Sequence, residues 1–179
     1  MALSYPIIAG LCGLVEVMYM FNADSKERIL VVEDEADILQ ILCLYLQYSG
    51  FEVRGVKNGQ EAIQLVTEFR PQLIVLDLMM QPVSGWEVLD WLHANRITPP
   101  LPVLVITALN HLTEQVRGFE EGAIDYMTKP TQPGLIVERI RTILSLTPEQ
   151  RMMLRHQHMD EKRRVLERLN TPQPDEFTY

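Results

Sequence analysis

Residues 28–50 run RILVVEDEADILQILCLYLQYSG, and the architecture can be worked out from this stretch. Residues 29–32 form an unbroken apolar run, which is typical of a strand covered on both faces. After an acidic segment, apolar residues recur at helical spacing over Ala36–Tyr48, and Gly50 is placed to end that helix. The predicted buried face of the helix consists of Ile38, Ile41, Leu42 and Tyr45. A buried strand followed by a helix is therefore expected.

This strand-and-helix pattern recurs up to residue 146. Further strands are predicted at residues 51–54, 73–76, 103–106 and 125–128. Further helices are predicted at about residues 60–69, 85–94, 113–121 and 133–146. Strand starts lie 20 to 30 residues apart, enough for one strand, one helix and two short loops. Since such crossovers are right-handed, the units predict an α/β fold with a doubly wound parallel sheet, in which the strands without polar residues are central.

Composition narrows the class of protein. The chain has 179 residues, of which 47% are apolar and 22% charged, as in a globular protein with one domain and appendages. Its formal net charge of -8 repels phosphate backbones and anionic lipids, so neither direct nucleic-acid binding nor membrane association is expected. The two cysteines, Cys12 and Cys43, cannot form a disulfide framework and have no zinc-ligand spacing. A reducing compartment, the cytoplasm, is predicted.

The chain divides into three parts: an apolar extension at residues 1–25, a domain at 26–146 and a tail at 147–179. The apolar run at residues 7–21 is shorter than a bilayer needs, contains Glu16 and precedes the first basic residue, Lys26. A membrane span and an export signal are both disfavoured. The extension is interpreted as a loosely held segment, or as residues upstream of a start at Met18 or Met20, with a dimer-forming or docking helix as the alternative.

The tail is predicted to form one helix. The helix is predicted to begin at Thr147, a capping residue, which is followed by Pro148 in the first turn and the early acid Glu149. It is predicted to continue to Asn170. Its middle is polar, so no continuous heptad seam is present, and the basic residues 162–164 are interpreted as a solvated face. A docking or dimerisation helix is expected, which is compatible with a homodimer.

Polar residues follow four of the strands, at the edge where doubly wound sheets bind ligands. They are Glu33, Asp34, Asp77, Thr107 and Lys129. Taken singly, Asp34 could cap a helix, Asp77 could order a loop and Lys129 could be a solvated charge. Taken together, they predict more: if the first and third strands are neighbours in the sheet, three carboxylates come close together and call for a divalent ion such as Mg²⁺. A hydroxyl and an ammonium beside them suit phosphoryl transfer, with Asp77 as the nucleophile that becomes an aspartyl phosphate.

This constellation resembles the receiver domain of two-component response regulators, the CheY-like family. The matching positions are Glu33-Asp34, Asp77, Thr107 and Lys129-Pro130, in this order on successive strands. The resemblance implies a flavodoxin-like sheet of order 2-1-3-4-5 and a cis bond before Pro130. It also implies that Asp77 accepts a phosphoryl group from a sensor histidine kinase or a phosphotransfer protein.

The resemblance further implies a role for each matching residue. Asp34, Asp77 and the carbonyl of Met79 would hold Mg²⁺, with Glu33 completing the metal pocket through water. Thr107 and Lys129 would contact the phosphoryl oxygens. Tyr126 would turn inward with Thr107 and so reshape the fourth helix, fifth strand and fifth helix. Such a domain catalyses only its own phosphorylation and dephosphorylation, and it is not an enzyme with a separate substrate.

The chain departs from the family pattern at three positions. Glu33 stands for an aspartate, Gln81 occupies the position of a loop proline that here follows as Pro82, and Thr131 replaces an apolar aromatic residue. A dehalogenase-type phosphatase needs a second aspartate where Met79 stands. A nucleotide-binding flavodoxin relative needs a glycine-rich phosphate loop after the first strand, where this chain has an acidic cluster instead. A degenerate receiver is disfavoured because every chemical position is filled.

Two output classes are predicted. The first is a stand-alone receiver that signals through protein contacts or passes its phosphoryl group onward. The second is a transcriptional regulator that acts through a partner protein or a dimeric tail, since residues 147–179 are too few for a DNA-binding domain of several helices.

Overall fold

The computed structural model describes residues 26–98 and 101–170, and these form a five-stranded sheet with helices on both faces. The strands are β1 (Arg28–Val32), β2 (Glu52–Val56), β3 (Leu73–Leu76), β4 (Val103–Thr107) and β5 (Asp125–Thr128). Their order is β2-β1-β3-β4-β5, and all neighbouring pairs are parallel. The predicted α/β fold and its strand order are confirmed. The predicted extension at residues 1–25, with the question of its start, lies outside the described residues.

The helices alternate with the strands. They are α1 (Ala36–Tyr48), α2 (Gly59–Phe69), α3 (Gly85–Ala94), α4 (Leu112–Glu120), α5 (Pro133–Ser145) and α6 (Pro148–Asn170). α1 and α5 bury their apolar residues on one face of the sheet, and α2 and α3 bury theirs on the other. None of the helices within residues 26–98 and 101–170 is long and apolar enough to cross a membrane.

The apolar runs of β1, β3 and β4 are explained by their central position. Side chains alternate along a strand, so Ile29 and Val31 join the core under α1 and α5 while Leu30 and Val32 join the opposite core. β2 lies at the edge of the sheet, and most of its residues are at least partly exposed. A central strand therefore needs apolar residues at every position, whereas β2 can carry Glu52 and Arg54.

The predicted buried face of α1 is wrong in part. The structure buries Leu39, Leu42 and Leu46, whereas Ile41 is 57% exposed and Tyr45 is 44% exposed. Leucines spaced by three and four residues lie on one side of a helix, and this side packs on the sheet. α1 carries apolar residues around most of its circumference, so its second apolar stripe remains exposed beside the carboxyl edge of the sheet.

The predicted tail helix is present as α6. Thr147 and Gln150 form a reciprocal cap, in which the Gln150 N–H donates to Thr147 Oγ1 at 3.3 Å and the Thr147 N–H donates to Gln150 Oε1 at 2.8 Å. α6 packs along α4 of the same chain. The interpretation of residues 162–164 as a solvated face agrees with the exposure of Arg163 and Arg164, although Arg163 also forms a surface ion pair with Glu120 of α4.

Candidate functional site

Three carboxylates meet at the carboxyl edge of β1 and β3. The two strands are paired in parallel with Val32 opposite Leu76, so the acids that follow them lie side by side. Each of Glu33, Asp34 and Asp77 offers a carboxylate oxygen, and these oxygens lie within 4.8 Å of one another. Glu33 and Asp77 are buried, whereas Asp34 is exposed. Asp34 is not the cap of α1, because Glu35 holds that position.

Lys129, which follows β5, reaches across to this acid cluster. Its Nζ lies 2.7 Å from Asp77 Oδ2, and 2.9 and 2.6 Å from the two carboxylate oxygens of Glu33. The backbone N–H of Lys129 donates to the Thr107 carbonyl at 2.9 Å, which fixes the base of the side chain against β4. The long lysine stem lets one ammonium contact both buried acids.

Burial and the contact between Glu33 and Lys129 shift the pKa values of these two residues. Burial raises the pKa of Glu33 above its usual value, and the hydrogen bond from Lys129 offsets only part of that effect. For Lys129 burial acts to lower the pKa, but hydrogen bonds to Asp77 and Glu33 outweigh it and the net shift is upward. Lys129 therefore stays charged over the physiological pH range.

The donor set fits a divalent cation. Three carboxylates and one ammonium sum to a formal charge of -2, which one Mg²⁺ would neutralise, and carboxylate oxygens are the ligands that this hard ion prefers. The exposed Asp34 leaves one side of the cluster open to solvent, as an ion that keeps several waters requires. Met79 also lies beside the cluster, since its backbone N–H donates to Asp77 Oδ1 at 3.0 Å.

The loop between β3 and α3 is held tightly against Asp77. The Gly85 N–H donates to the Leu78 carbonyl at 3.1 Å, and a Cβ at Gly85 would lie only 2.1 Å from the Asp77 carbonyl oxygen. Ser84 and Glu87 form a capping box at the start of α3. Only glycine fits at position 85, because the atoms it would meet belong to the backbone. The Gln81–Pro82 bond in this loop is cis.

Thr107 and Tyr126 are connected through the loop that follows β4. Thr107 is fully buried at the end of β4, and the Leu109 N–H points at its hydroxyl oxygen across 3.5 Å. The Tyr126 hydroxyl donates to the Leu109 carbonyl at 3.0 Å. Burial, and then the charges of Glu114 and Asp77, raise the pKa of Tyr126. A shift of the loop at Leu109 would thus move Tyr126 directly.

The structure brings four of the predicted residues into one cluster, Glu33, Asp34, Asp77 and Lys129. Tyr126 lies outside this cluster and is connected toward it by hydrogen bonds through Leu109 and Thr107. The Lys129–Pro130 bond is cis, as expected. Sequence analysis missed the carbonyl of Leu109 and the tight approach of Gly85. Every residue has a carbonyl, so no side-chain pattern could have indicated the first, but the Ser-Gly pair at positions 84 and 85 was a signal for the second.

Known proteins match this chain over its sheet-forming part. A family model described as the response regulator receiver domain matches residues 29–141. The DNA-binding dual master transcriptional regulator RpaA of Synechocystis sp. is 34% identical over 67% of this chain and 50% of its own. The phosphate regulon transcriptional regulatory protein PhoB of Escherichia coli is 38% identical over 65% of this chain and 51% of its own. The chain spans about half the length of these curated relatives.

The fold of this chain is also similar to that of a solved receiver domain. The non-phosphorylated HemR receiver domain from Leptospira biflexa is 31% identical, with a TM-score of 0.63, and the match covers 68% of this chain and 97% of that one.

Proposed function

The chain belongs to the response regulator receiver domain family, and from this premise we propose that Asp77 accepts a phosphoryl group from a sensor histidine kinase or a phosphotransfer protein. The observation that carries the proposal is the convergence of buried Asp77 and Glu33 on one ammonium, that of Lys129, at the carboxyl edge of the sheet. A carboxylate can act as a nucleophile toward phosphorus, and Asp77 is oriented for this by the Lys129 ammonium on one side while the acid cluster beside it is open to solvent.

In the proposed transfer, one oxygen of Asp77 attacks the phosphorus of a phosphohistidine. A new O–P bond forms as the N–P bond breaks, and the imidazole leaves with the bonding pair and takes up a proton. Lys129 already contacts Asp77 at 2.7 Å, so its ammonium needs to move little to reach a phosphoryl oxygen. The hydroxyl of Thr107 donates to a second oxygen, which draws Thr107 and its loop toward Asp77.

Asp34, Asp77 and the Met79 carbonyl would hold Mg²⁺ in this proposal, with Glu33 acting through water. When bound, Mg²⁺ supplies positive charge opposite the phosphoryl oxygens. Glu33 keeps Lys129 oriented, because the ammonium contacts both of its carboxylate oxygens. Without a bound cation, the net charge of -2 on the cluster would repel the negatively charged phosphoryl group.

We propose that the phosphodonor docks on the exposed apolar stripe of α1. Ile41 and Tyr45 are exposed there, and an apolar groove between α1 and α5 ends at Lys129. The groove is lined by Ile38, Ile41, Ile106, Lys129, Pro130 and Ile136. A helix of a kinase or phosphotransfer protein seated in this groove would present its histidine beside Asp77.

The reaction is limited to the chain itself. It consists of phosphorylation of Asp77 and later hydrolysis of the aspartyl phosphate, without a separate substrate. We propose that it takes place in the cytoplasm, a reducing compartment, because the two cysteines of the chain cannot form a disulfide framework.

The signal leaves through a phosphorylation-dependent surface change at Thr107 and Tyr126. A second candidate function is transcriptional control through a partner protein or a dimeric tail. It is favoured by the names of RpaA and PhoB, both transcriptional regulators. The receiver domain is not proposed to contact nucleic acid, given the net charge of -8 on the whole chain. Deleting residues 147–179 separates the two candidates, since a receiver that passes phosphate onward keeps this ability and a regulator acting through its tail loses its effect.

The direct test is incubation with acetyl phosphate and Mg²⁺, followed by intact mass spectrometry. We expect the wild-type chain to gain one phosphoryl group and the Asp77→Asn variant to gain none. Asp37→Asn, which changes an exposed acid in the first turn of α1, is the matched control and should gain the group normally. Equal gain by wild type and Asp77→Asn would place the acceptor elsewhere, and no gain by wild type would support a degenerate receiver.

A further inference from the structure

The tail helix α6 is held to the end of α4 by an arginine. Arg155 Nε donates to the Phe119 carbonyl at 2.6 Å, and Arg155 Nη2 donates to the Glu120 carbonyl at 3.0 Å. These carbonyls belong to the last turn of α4, where the helix dipole favours a cation, and the Phe119 carbonyl also accepts from the Gly122 N–H at 3.2 Å. About two turns further along α6, Arg163 pairs with the Glu120 side chain. The two arginines attach α6 to one end of α4.

α6 also contacts the strand and the helix that follow α4. His158 Nδ1 lies 3.4 Å from Asp125 Oδ1 at the start of β5, and the His158 ring packs against Phe119 with 5.7 Å between centroids. The other oxygen of Asp125 lies 3.0 Å from Arg139 of α5. Arg151 donates to the carbonyls of Ile143 and Leu144 at the end of α5, at 2.8 and 3.2 Å. α6 is therefore attached to α4, β5 and α5 at once.

These attachments are polar and directional. Leu154 packs against the core under α1 and α5, but Met153 and Leu169 of the same helix are exposed at 63% and 71%. Leu154, Met159 and Leu166 are only partly buried, so the hydrogen bonds made by Arg151 and Arg155 contribute to the docking of α6, and their strength falls steeply with distance and angle. A helix bound in this way to three elements remains docked only while those elements keep their relative positions.

Two of these elements, α4 and β5, adjoin the Thr107–Tyr126 connection. Gly118 of α4 lies against the Tyr126 ring, since a Cβ at this position would be 3.6 Å from two ring carbons. Tyr126 follows Asp125 in β5, and its hydroxyl is bonded to Leu109 in the loop that leads into α4. A movement of Thr107 toward a phosphoryl group therefore shifts the start of α4 relative to β5.

From this geometry we propose that α6 is an intramolecular ligand of the α4–β5–α5 face, docked in the unphosphorylated protein and released when Asp77 is phosphorylated. The inference rests on the proposed function. Release exposes the ends of α4 and α5. It also exposes Arg151 and Arg155 on the side of α6 that had faced them, and a downstream partner protein can then bind these surfaces. The coupling is reciprocal: if phosphorylation weakens the docking of α6 by a given factor, loss of docking stabilises the phosphorylated conformation by the same factor.

The experiment measures amide hydrogen exchange of the full chain, with intact mass recorded in parallel. On treatment with acetyl phosphate and Mg²⁺, we expect exchange within residues 150–168 to accelerate about tenfold in wild type and not in Asp77→Asn. Arg155→Met should show fast exchange of α6 without phosphorylation, and it should bind beryllium trifluoride with Mg²⁺ about tenfold more tightly than wild type. Arg164→Met, which changes an exposed arginine of the same helix, should match wild type in both measurements.

The two proposals fail in different ways. If wild type gains a phosphoryl group but exchange in α6 stays the same or slows, release of α6 is wrong and the phosphorylation of Asp77 stands. If Arg155→Met frees α6 but binds beryllium trifluoride with wild-type affinity, the coupling is wrong as well. If wild type gains no phosphoryl group, the proposed function fails.

Discussion

The ammonium of Lys129 donates a hydrogen bond to the carboxylate of Asp77 across 2.7 Å, although the strands that precede them, β5 and β3, are not neighbours. β4 lies between these strands, so the contact depends on the length of the lysine side chain. The Lys129 ammonium pairs with both buried carboxylates, those of Glu33 and Asp77. Its positive charge therefore offsets the repulsion between them.

Removing this ammonium should destabilise the protein at neutral pH. Lys129→Met leaves Glu33 and Asp77 buried without their cation, and we expect a loss of about 3 kcal/mol in the free energy of unfolding. Urea denaturation measures the loss, and millimolar Mg²⁺ should restore part of it. Lys57→Met, at an exposed lysine, is the control and should stay near wild type. An unchanged urea midpoint for Lys129→Met would show that the acids are not repelling each other.

Glu33 should make stability depend on pH. Its pKa in the folded protein is raised above the usual 4.5 by burial, so the folded state binds a proton more tightly than the unfolded state. The contribution of Glu33 to stability therefore decreases as pH rises from about 4.5 through the folded pKa. Glu33→Gln removes that titration, and its unfolding free energy should fall less than that of wild type over the same pH range. A steeper fall in the variant would refute this assignment.

Asp34 should contribute mainly to cation binding and little to folding. It is exposed and offers one oxygen to the acid cluster, so Asp34→Asn removes a charge that a divalent ion would use. We expect Mg²⁺ affinity, measured by calorimetry, to fall about tenfold while the melting temperature without Mg²⁺ changes little. Asp37→Asn should keep the wild-type affinity. If both variants bind equally well, Asp34 is not a ligand.

Gly85 should tolerate no side chain. In Gly85→Ala the new Cβ would meet the Asp77 carbonyl oxygen at 2.1 Å and the Leu78 Cα at 2.7 Å, so the loop that carries the acceptor must move. We expect a loss of about 3 kcal/mol in stability and slower phosphorylation by acetyl phosphate. Gly134→Ala is the matched control, because its Cβ would come no closer than 3.4 Å to the Tyr45 hydroxyl. Equal stability of the two variants would contradict this account.

The hydroxyl of Tyr126 should stabilise the loop after β4. Tyr126→Phe removes the hydrogen bond to the Leu109 carbonyl and should cost about 1 kcal/mol in a urea titration. Burial raises the pKa of Tyr126, so its phenolate should form only as the protein unfolds in alkali, which ultraviolet absorbance detects. Tyr45→Phe, at a partly exposed tyrosine, should change stability much less. A smaller loss at Tyr126 than at Tyr45 would show that the bond to Leu109 contributes nothing.

Local patterns were sufficient for the element order. Unbroken apolar runs indicated β1, β3 and β4 as central strands. Gly50 follows the end of α1 with a positive φ, as its position predicted, and Gly122 does the same after α4. The buried face of α1 was harder to predict, because an apolar residue is available in almost every direction around that helix. Its choice of the leucine stripe depends on the sheet below it.

The sequence alone determined the strands, the helices and the edge at which Glu33, Asp34, Asp77, Thr107 and Lys129 would gather, because backbone periodicity and strand direction are local properties. Only the tertiary structure decided that Lys129 contacts both Glu33 and Asp77, that Leu109 accepts a hydrogen bond from Tyr126 and that α6 docks on α4. These contacts join residues distant in sequence, and several use backbone carbonyls that every residue possesses. Their formation depends on how the packed elements direct long side chains.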